Sequence, residues 1–272
     1  MHSAPIPEAW SRLQPMRGAI LDMDGVLYRG ETAIPGAIQA LEVLRRHLAI
    51  AFLTNNSTKR REPLVEHLRS LGFTIHASEI ILVADVLERH LLTHHAGAPI
   101  LLLGEDHLHE RLRQAGLVLI EATQWRQAAV VVCACRLSMS HDLLGAALNA
   151  LRQGATFVLT NPDLTVDGAD GQRLEAGAYG RMLALATGRQ PVVLGKPETP
   201  AYDLALGQLG LPAAAVIMIG DNPDTDLDGA RRHGLLSIQV LSGISQAPSS
   251  QADLVFTNLG LVAKAVASSH HV

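Results

Sequence analysis

Asp22 and Asp24 stand two positions apart in the run Asp22-Met23-Asp24-Gly25-Val26-Leu27, directly after the apolar stretch Gly18–Leu21. Residues two apart share one side of a strand, and a turn starting at Gly25 turns both carboxylates toward one pocket. Unpaired carboxylates are strongly disfavoured in low dielectric. A divalent cation resolves the repulsion, and an oxygen-only ligand set points to Mg²⁺ rather than zinc. A second apolar stretch, Ala49–Leu53, ends in Thr54-Asn55-Asn56-Ser57. A hydroxyl, amides and main-chain N–H groups ahead of a helix suit a phosphate. The same residues equally suit a helix N-cap by Asn56 or Ser57. Pro191–Leu194 ends in Gly195-Lys196-Pro197, where Lys196 offers a movable positive charge to an anion or is a solvated loop lysine. Ala215–Ile219 ends in Gly220-Asp221-Asn222-Pro223-Asp224-Thr225-Asp226. Asp221 emerges from an apolar strand into the same crevice, Asp226 follows one turn later, and Asp224 and Asp228 read as solvated or helix N-terminal carboxylates.

These groups need a scaffold that brings strand ends together. Eight short apolar runs read as buried strands: the four above, with Pro99–Leu103, Ala128–Cys135, Ala155–Leu159 and Leu236–Val240. Amphipathic stretches lie between them, Pro35–Arg46, Arg61–Leu71, Leu143–Leu151 and Ala201–Leu209, each with apolar residues three or four apart. Alternating strands and helices predict an α/β chain with parallel sheets, and ligands in such sheets bind beyond the carboxyl ends of the strands. The tail after Ser242 is richer in Ser and Ala, and its last residues are expected to fray.

Composition narrows the field. The 272 residues are 48% hydrophobic and 18% charged, which gives ample core and argues against global disorder. A net charge of −4 and an aromatic content of 3% argue against a nucleic-acid partner, which needs a basic patch or stacking faces. Two cysteines, Cys133 and Cys135, exclude a four-cysteine zinc site and fit a reducing cytoplasm. Met1–Trp10 lacks the basic and apolar regions of a signal peptide. The apolar runs stop at about eight residues where a membrane helix needs roughly 20, so no membrane partner is expected.

The ordered set DMDGVL, Thr54, Lys196 and GDNPDTD resembles the four motifs of the haloacid dehalogenase (HAD) superfamily, and the spellings TNNS, GKP and GDxxxTD resemble its class IIA branch, over roughly Arg17 to Ser245. Spacing agrees. Between Asp24 and Thr54 there is room for a flap and one helix, whereas over half the chain separates Thr54 from Lys196. The resemblance implies a doubly wound, Rossmann-like parallel-sheet core from residues 1–83 and 187–272, with an inserted α/β cap at 84–186. It implies a phosphatase of small phosphorylated metabolites, and caps of this branch often pair into a homodimer, although the sequence itself does not fix the oligomeric state. Asp22 would be the nucleophile and Asp24 the acid and base. One Mg²⁺ would be held by the Asp22 carboxylate, the Asp24 carbonyl and Asp221. Thr54, the Asn55 N–H and Lys196 would hold the phosphate, and Asn222 would touch it or orient a ligand. Asp226 would tune Lys196 or metal-bound water, and Gly25 would permit the turn after the acids. An acid at Asp24 favours phosphate esters, because a halide leaves without a proton.

Inside the insert, Thr160-Asn161-Pro162-Asp163 resembles a TNxD element of the branch, with Asn161 and Asp163 either forming a turn or setting the cap. Cys133-Ala134-Cys135-Arg136 departs from the glycine and acidic residue that often follow this strand in the branch, and the cysteine pair reads as apolar strand filling. Two other readings stay open on the same residues, a phospho-accepting signalling module and a weakly catalytic phosphometabolite-binding protein.

Overall fold

The computed structural model describes residues 11–168 and 171–270; the leader reading of Met1–Trp10 and the extreme C-terminal end fall outside them. Along the chain come β1 (Gly18–Leu21), β2 (Tyr28–Arg29), β3 (Thr32–Ala33), α1 (Ala37–Arg45), β4 (Ala49–Thr54), α2 (Arg61–Ser70), β5 (Ile80–Leu82) and α3 (Val83–His94). Then follow β6 (Ile100–Leu103), α4 (Asp106–Gln114), β7 (Val130–Cys133), α5 (His141–Arg152), β8 (Thr156–Leu159), β9 (Thr165–Gly168), β10 (Gly171–Leu174), α6 (Ala176–Thr187) and β11 (Val192–Val193). The last elements are α7 (Thr199–Leu209), β12 (Val216–Gly220), α8 (Asp228–His233), β13 (Leu236–Val240), β14 (Leu254–Phe256) and α9 (Leu259–Ser269). No helix among the described residues is long and apolar enough to cross a membrane.

The chain forms two compact units. The first comprises residues 1–54, 61–81 and 196–272. Its sheet has the order β14-β13-β12-β1-β4-β5, and β1 pairs in parallel with both β12 and β4. Every residue of β1 and β12 is buried, as expected of strands covered on both faces. In register, Leu21 faces Ile219 on one side and Phe52 on the other. Asp22, Gly220-Asp221 and Thr54 therefore leave the sheet at the same carboxyl edge, on three adjacent strands. The stretch after Ser242 is more structured than a loose tail: it supplies β14 and α9, whose Leu259, Val262, Ala263 and Val266 are buried.

The second unit comprises residues 55–60 and 82–195. Its parallel sheet has the order β11-β8-β7-β6, beside an antiparallel β9/β10 pair. Leu101, Leu103, Val131, Cys133, Phe157 and Leu159 from the sheet pack with Ala147 and Leu151 of α5 and Leu183 of α6. These bounds differ from 84–186 in three places, the smallest being a start at Leu82. Val192–Val193 pairs with Val158–Leu159, which carries the unit through Gly195. Asn55–Arg60, expected in the core, belongs here because its polar groups bond to this unit.

Candidate active site

Asp22 follows β1 with its N–H bonded to the Ile219 carbonyl at 2.9 Å, so the register of β1 on β12 sets its backbone. Lys196, 3% exposed, donates to Asp22 Oδ1 at 2.6 Å and to Asp226 Oδ1 at 2.7 Å. Burial alone would drive the lysine toward its neutral form, but Asp22 and Asp226 outweigh it and hold the ammonium above its ordinary pKa. Burial raises the Asp22 carboxyl well above the usual range, against the pull of Lys196 and with added repulsion from Asp226 and Asp221.

Asp226 is fully buried and bonds directly to Lys196. It sits in a π-helical turn, Pro223–Leu227, and its Oδ2 accepts the Asn222 N–H at 3.1 Å. A side chain at Gly220 would place its Cβ 2.2 Å from Asp226 Oδ2, so β12 must end in glycine here. Tyr202 of α7 braces the turn by donating to the carbonyls of Thr225 and Asp226. Asn222 turns its Oδ1 back to the Asp224 N–H at 3.0 Å and caps the turn, so the structure gives that oxygen a backbone role.

Asp221 is 1% exposed, and burial followed by Asp226 raises its carboxyl to about 6. Carboxylate oxygens of Asp22, Asp221 and Asp226 lie within 4.8 Å of one another. Asp24 stands outside this group and is exposed, while Met23 between the two acids is buried. Gly25, at φ 77°, makes the turn: its N–H bonds back to the Tyr28 carbonyl and the chain re-enters as β2. Thr54 ends β4, half-buried at the shared strand edge.

Four contributors carry no signal in the motifs. Ile244 N–H donates to Asp221 Oδ2 at 2.5 Å, and Ser242 Oγ donates to the Gly25 carbonyl at 2.8 Å. Gly243 between them has no room for a side chain, since a Cβ there would lie 1.9 Å from Asp221 Oδ2. This clamp follows β13, and the same strand-end reading applied to Leu236–Val240 would have reached it. Tyr28 is 4% exposed, and burial, then the charges of Asp24 and Asp22, hold its phenol neutral.

Asn55 lies in the second unit, in a loop that this unit grips. Its carbonyl accepts from Asn161 Nδ2 at 2.9 Å and its amide donates to Asp163 Oδ2 at 2.9 Å. Asn56 Oδ1 accepts the N–H groups of Thr58 and Lys59, which is a local turn and not a cap of α2. Ser57 Oγ accepts the Cys135 N–H at 3.2 Å. Asn161 and Asp163 thus form their own turn, through Asp163 N–H to Asn161 Oδ1, and also hold this loop.

Family models agree with this geometry. One described as haloacid dehalogenase-like hydrolase matches residues 19–118, and a second HAD-like hydrolase model matches 193–262. The chain is 31% identical over 234 residues to an acid sugar phosphatase of Staphylococcus aureus (strain USA300), covering 86% of this chain and 89% of the relative. Among solved structures, a p-nitrophenyl phosphatase from Archaeoglobus fulgidus is 30% identical with a TM-score of 0.83, covering 92% of this chain and 99% of that one. A 4-nitrophenylphosphatase from Thermotoga maritima is 29% identical with a TM-score of 0.85, covering 94% and 99%.

Proposed function

The chain belongs to the haloacid dehalogenase-like hydrolases, in their class IIA branch, and from that membership we propose that it hydrolyses small phosphomonoesters, sugar phosphates among them, with Asp22 as nucleophile. The observation that carries the reading is the buried Lys196 ammonium bonded to both Asp22 and Asp226 at the carboxyl edge of the sheet. It holds the Asp22 carboxylate in place and draws it toward the ionised form against the burial that raises it, and the ionised form is the one that attacks.

In the first step an Asp22 oxygen bonds to phosphorus as the ester P–O bond breaks, leaving an aspartyl-phosphate and the alcohol. Asp24 gives the leaving oxygen its proton. In the second step Asp24 takes a proton from water, the water oxygen bonds to phosphorus, and phosphate departs with Asp22 restored. The exposure of Asp24 suits a group that meets both the leaving alcohol and the incoming water. The Thr54 hydroxyl, the Asn55 N–H and the Lys196 charge offset the negative charge on the phosphoryl oxygens.

Magnesium fits the donor set: three carboxylates converge, and oxygen is their only ligand atom. Asp226 already bonds to Lys196 and to the Asn222 N–H, so Asp22 and Asp221 are the side chains that would hold the ion, with the Asp24 carbonyl. When bound, Mg²⁺ supplies the positive charge that lets an anionic ester approach an anionic nucleophile.

The test is release of 4-nitrophenol from 4-nitrophenyl phosphate, followed by phosphate release from a panel of sugar phosphates. Release should require Mg²⁺, stop with a chelator, and be lost in Asp22→Asn. A wild-type protein with no turnover, or an Asp22→Asn variant with full turnover, would overturn the reading.

A further inference from the structure

Glu175 precedes α6 in the second unit, outside every motif, and is only 3% exposed. Its Oε1 accepts from Ser57 Oγ at 3.1 Å and from Asn161 Nδ2 at 3.3 Å. Its Oε2 is buried and has no hydrogen-bond partner among the described residues. A half-satisfied buried carboxyl costs stability, and an apolar residue of similar volume would avoid that cost. Its presence calls for a task that an apolar residue cannot perform.

Asn161 and Ser57, the two side chains that donate to Oε1, identify that task. Asn161 Nδ2 has two hydrogens, and the same nitrogen faces both Glu175 Oε1 and the Asn55 carbonyl. Asn161 Oδ1 meanwhile accepts the Asp163 N–H at 3.1 Å. The amide can point only one way, because the flipped form would set its oxygen against two acceptors. Ser57 is fixed likewise, accepting from Cys135 N–H and donating to Glu175. Space is tight on the remaining side, where a Cβ on Gly195 would lie 2.5 Å from Asn55 Oδ1 and 2.7 Å from the Thr160 carbonyl. Through its bond to Asn161, Glu175 sets the rotation of the amide that holds Asn55.

We propose that Glu175 is a positioning residue for the phosphate-binding loop: through Asn161 and Ser57 it fixes the main chain at Asn55, and with it the N–H that follows Thr54. The use of that N–H rests on the phosphatase reading; the fixing of the loop does not. Burial holds the Glu175 carboxyl above its ordinary pKa although Asn161, the Cys135 thiol, the Ala176 N–H and Ser57 pull the other way; glutamine keeps an acceptor oxygen for Asn161 and Ser57.

The experiment compares the wild type with Glu175→Ala, Glu175→Gln and Ser57→Ala by hydrogen exchange and by turnover of 4-nitrophenyl phosphate with Mg²⁺. In Glu175→Ala the amides of Asn55–Lys59 should exchange faster while those of β6, β7 and β8 keep their protection. Its kcat should fall by about ten- to a hundredfold, the scale of a displaced transition-state donor, with KM changed much less. Glu175→Gln should stay within about threefold of wild type on the same scale. Ser57→Ala, which keeps Glu175 and Asn161, should show the same faster loop exchange and a smaller drop in kcat. Unchanged loop exchange in Glu175→Ala and Ser57→Ala overturns the proposal, as does equal loss in Glu175→Gln and Glu175→Ala. If Glu175→Ala does not fold, the Glu175→Gln and Ser57→Ala pair decides. Wild-type turnover tests the phosphatase reading separately, and loop exchange reports the positioning whichever way that falls.

Discussion

The Lys196 ammonium lies 2.6 Å from Asp22 Oδ1, with 3% of the lysine side chain exposed. It lies 2.7 Å from the fully buried Asp226, so one cation neutralises two acids in a low-dielectric site. Removing one partner of a buried ion pair leaves uncompensated charge and costs about 3–5 kcal/mol. Lys196→Met should lose stability on that scale in urea unfolding and should lose turnover. Adding Asp226→Asn to Lys196→Met should recover part of the stability and none of the turnover. A Lys196→Met protein as stable as wild type would show that the two acids are not charged together in the folded state.

Gly243 shapes the Asp221 carboxylate by having no side chain. A Cβ there would press 1.9 Å from Oδ2, the oxygen that takes the Ile244 N–H. Gly243→Ala should fold, displace Asp221, and raise the Mg²⁺ concentration needed for half-maximal turnover by about tenfold, the scale of losing a group that orients a metal ligand. Titrating Mg²⁺ against turnover in both proteins checks it. An unchanged Mg²⁺ requirement would remove Asp221 from the ion's ligands.

The sequence was informative wherever burial and chemistry coincide in one segment. β1, β6, β7 and β12 are buried at every residue, so each reads as an uninterrupted apolar run. Asp22 and Asp221 stand out because a charged residue at the end of such a run needs a partner, whereas Lys196 follows a run that is partly exposed. What the runs cannot say is which sheet a strand joins. Pro191–Leu194 reads as a strand, but only its pairing with β8 places it in the second unit. The two-residue strands β2 and β3 and the exposed β10 escape because neither length nor alternation marks them. Asp24 shares the strand parity of Asp22 but not its burial, since the turn at Gly25 ends the strand geometry on which parity depends. Glu175 was invisible for another reason: it contacts Ser57 and Asn161, and no local pattern in the sequence reports a partner so distant along the chain.

Acid should weaken the first unit through Asp253. Burial pushes this carboxyl up, but the Ser237 N–H at 2.9 Å, the Ser237 hydroxyl at 2.8 Å and Arg12 outweigh it and hold it below the ordinary value of 3.8. A carboxyl depressed in the folded state contributes stability above its unfolded pKa and loses it as pH falls through the folded one. Asp253→Asn should therefore be less stable than wild type at neutral pH, and the gap should close as pH falls below about 4. Unfolding midpoints in urea, measured across that range for both proteins, test the sign; a gap that widens in acid would refute it.

The cysteines should be inert in the folded chain, and Cys135 should matter through its backbone. Both are free and buried. Burial, then the nearby Glu175, pushes the Cys135 thiol up to about 12, and burial raises Cys133 further. The thiolate is the reactive species, so iodoacetamide should leave both residues unlabelled in the native protein and modify both in urea. Among the described residues the hydrogen bond from Cys135 to the Asn55–Lys59 loop is its N–H to Ser57 Oγ, which any residue other than proline supplies. Cys135→Ala should accordingly keep wild-type kcat and the wild-type exchange rate at Asn55–Lys59, whereas Ser57→Ala changes both. A Cys135→Ala protein that loses turnover while its loop exchange stays normal would assign the thiol a role of its own.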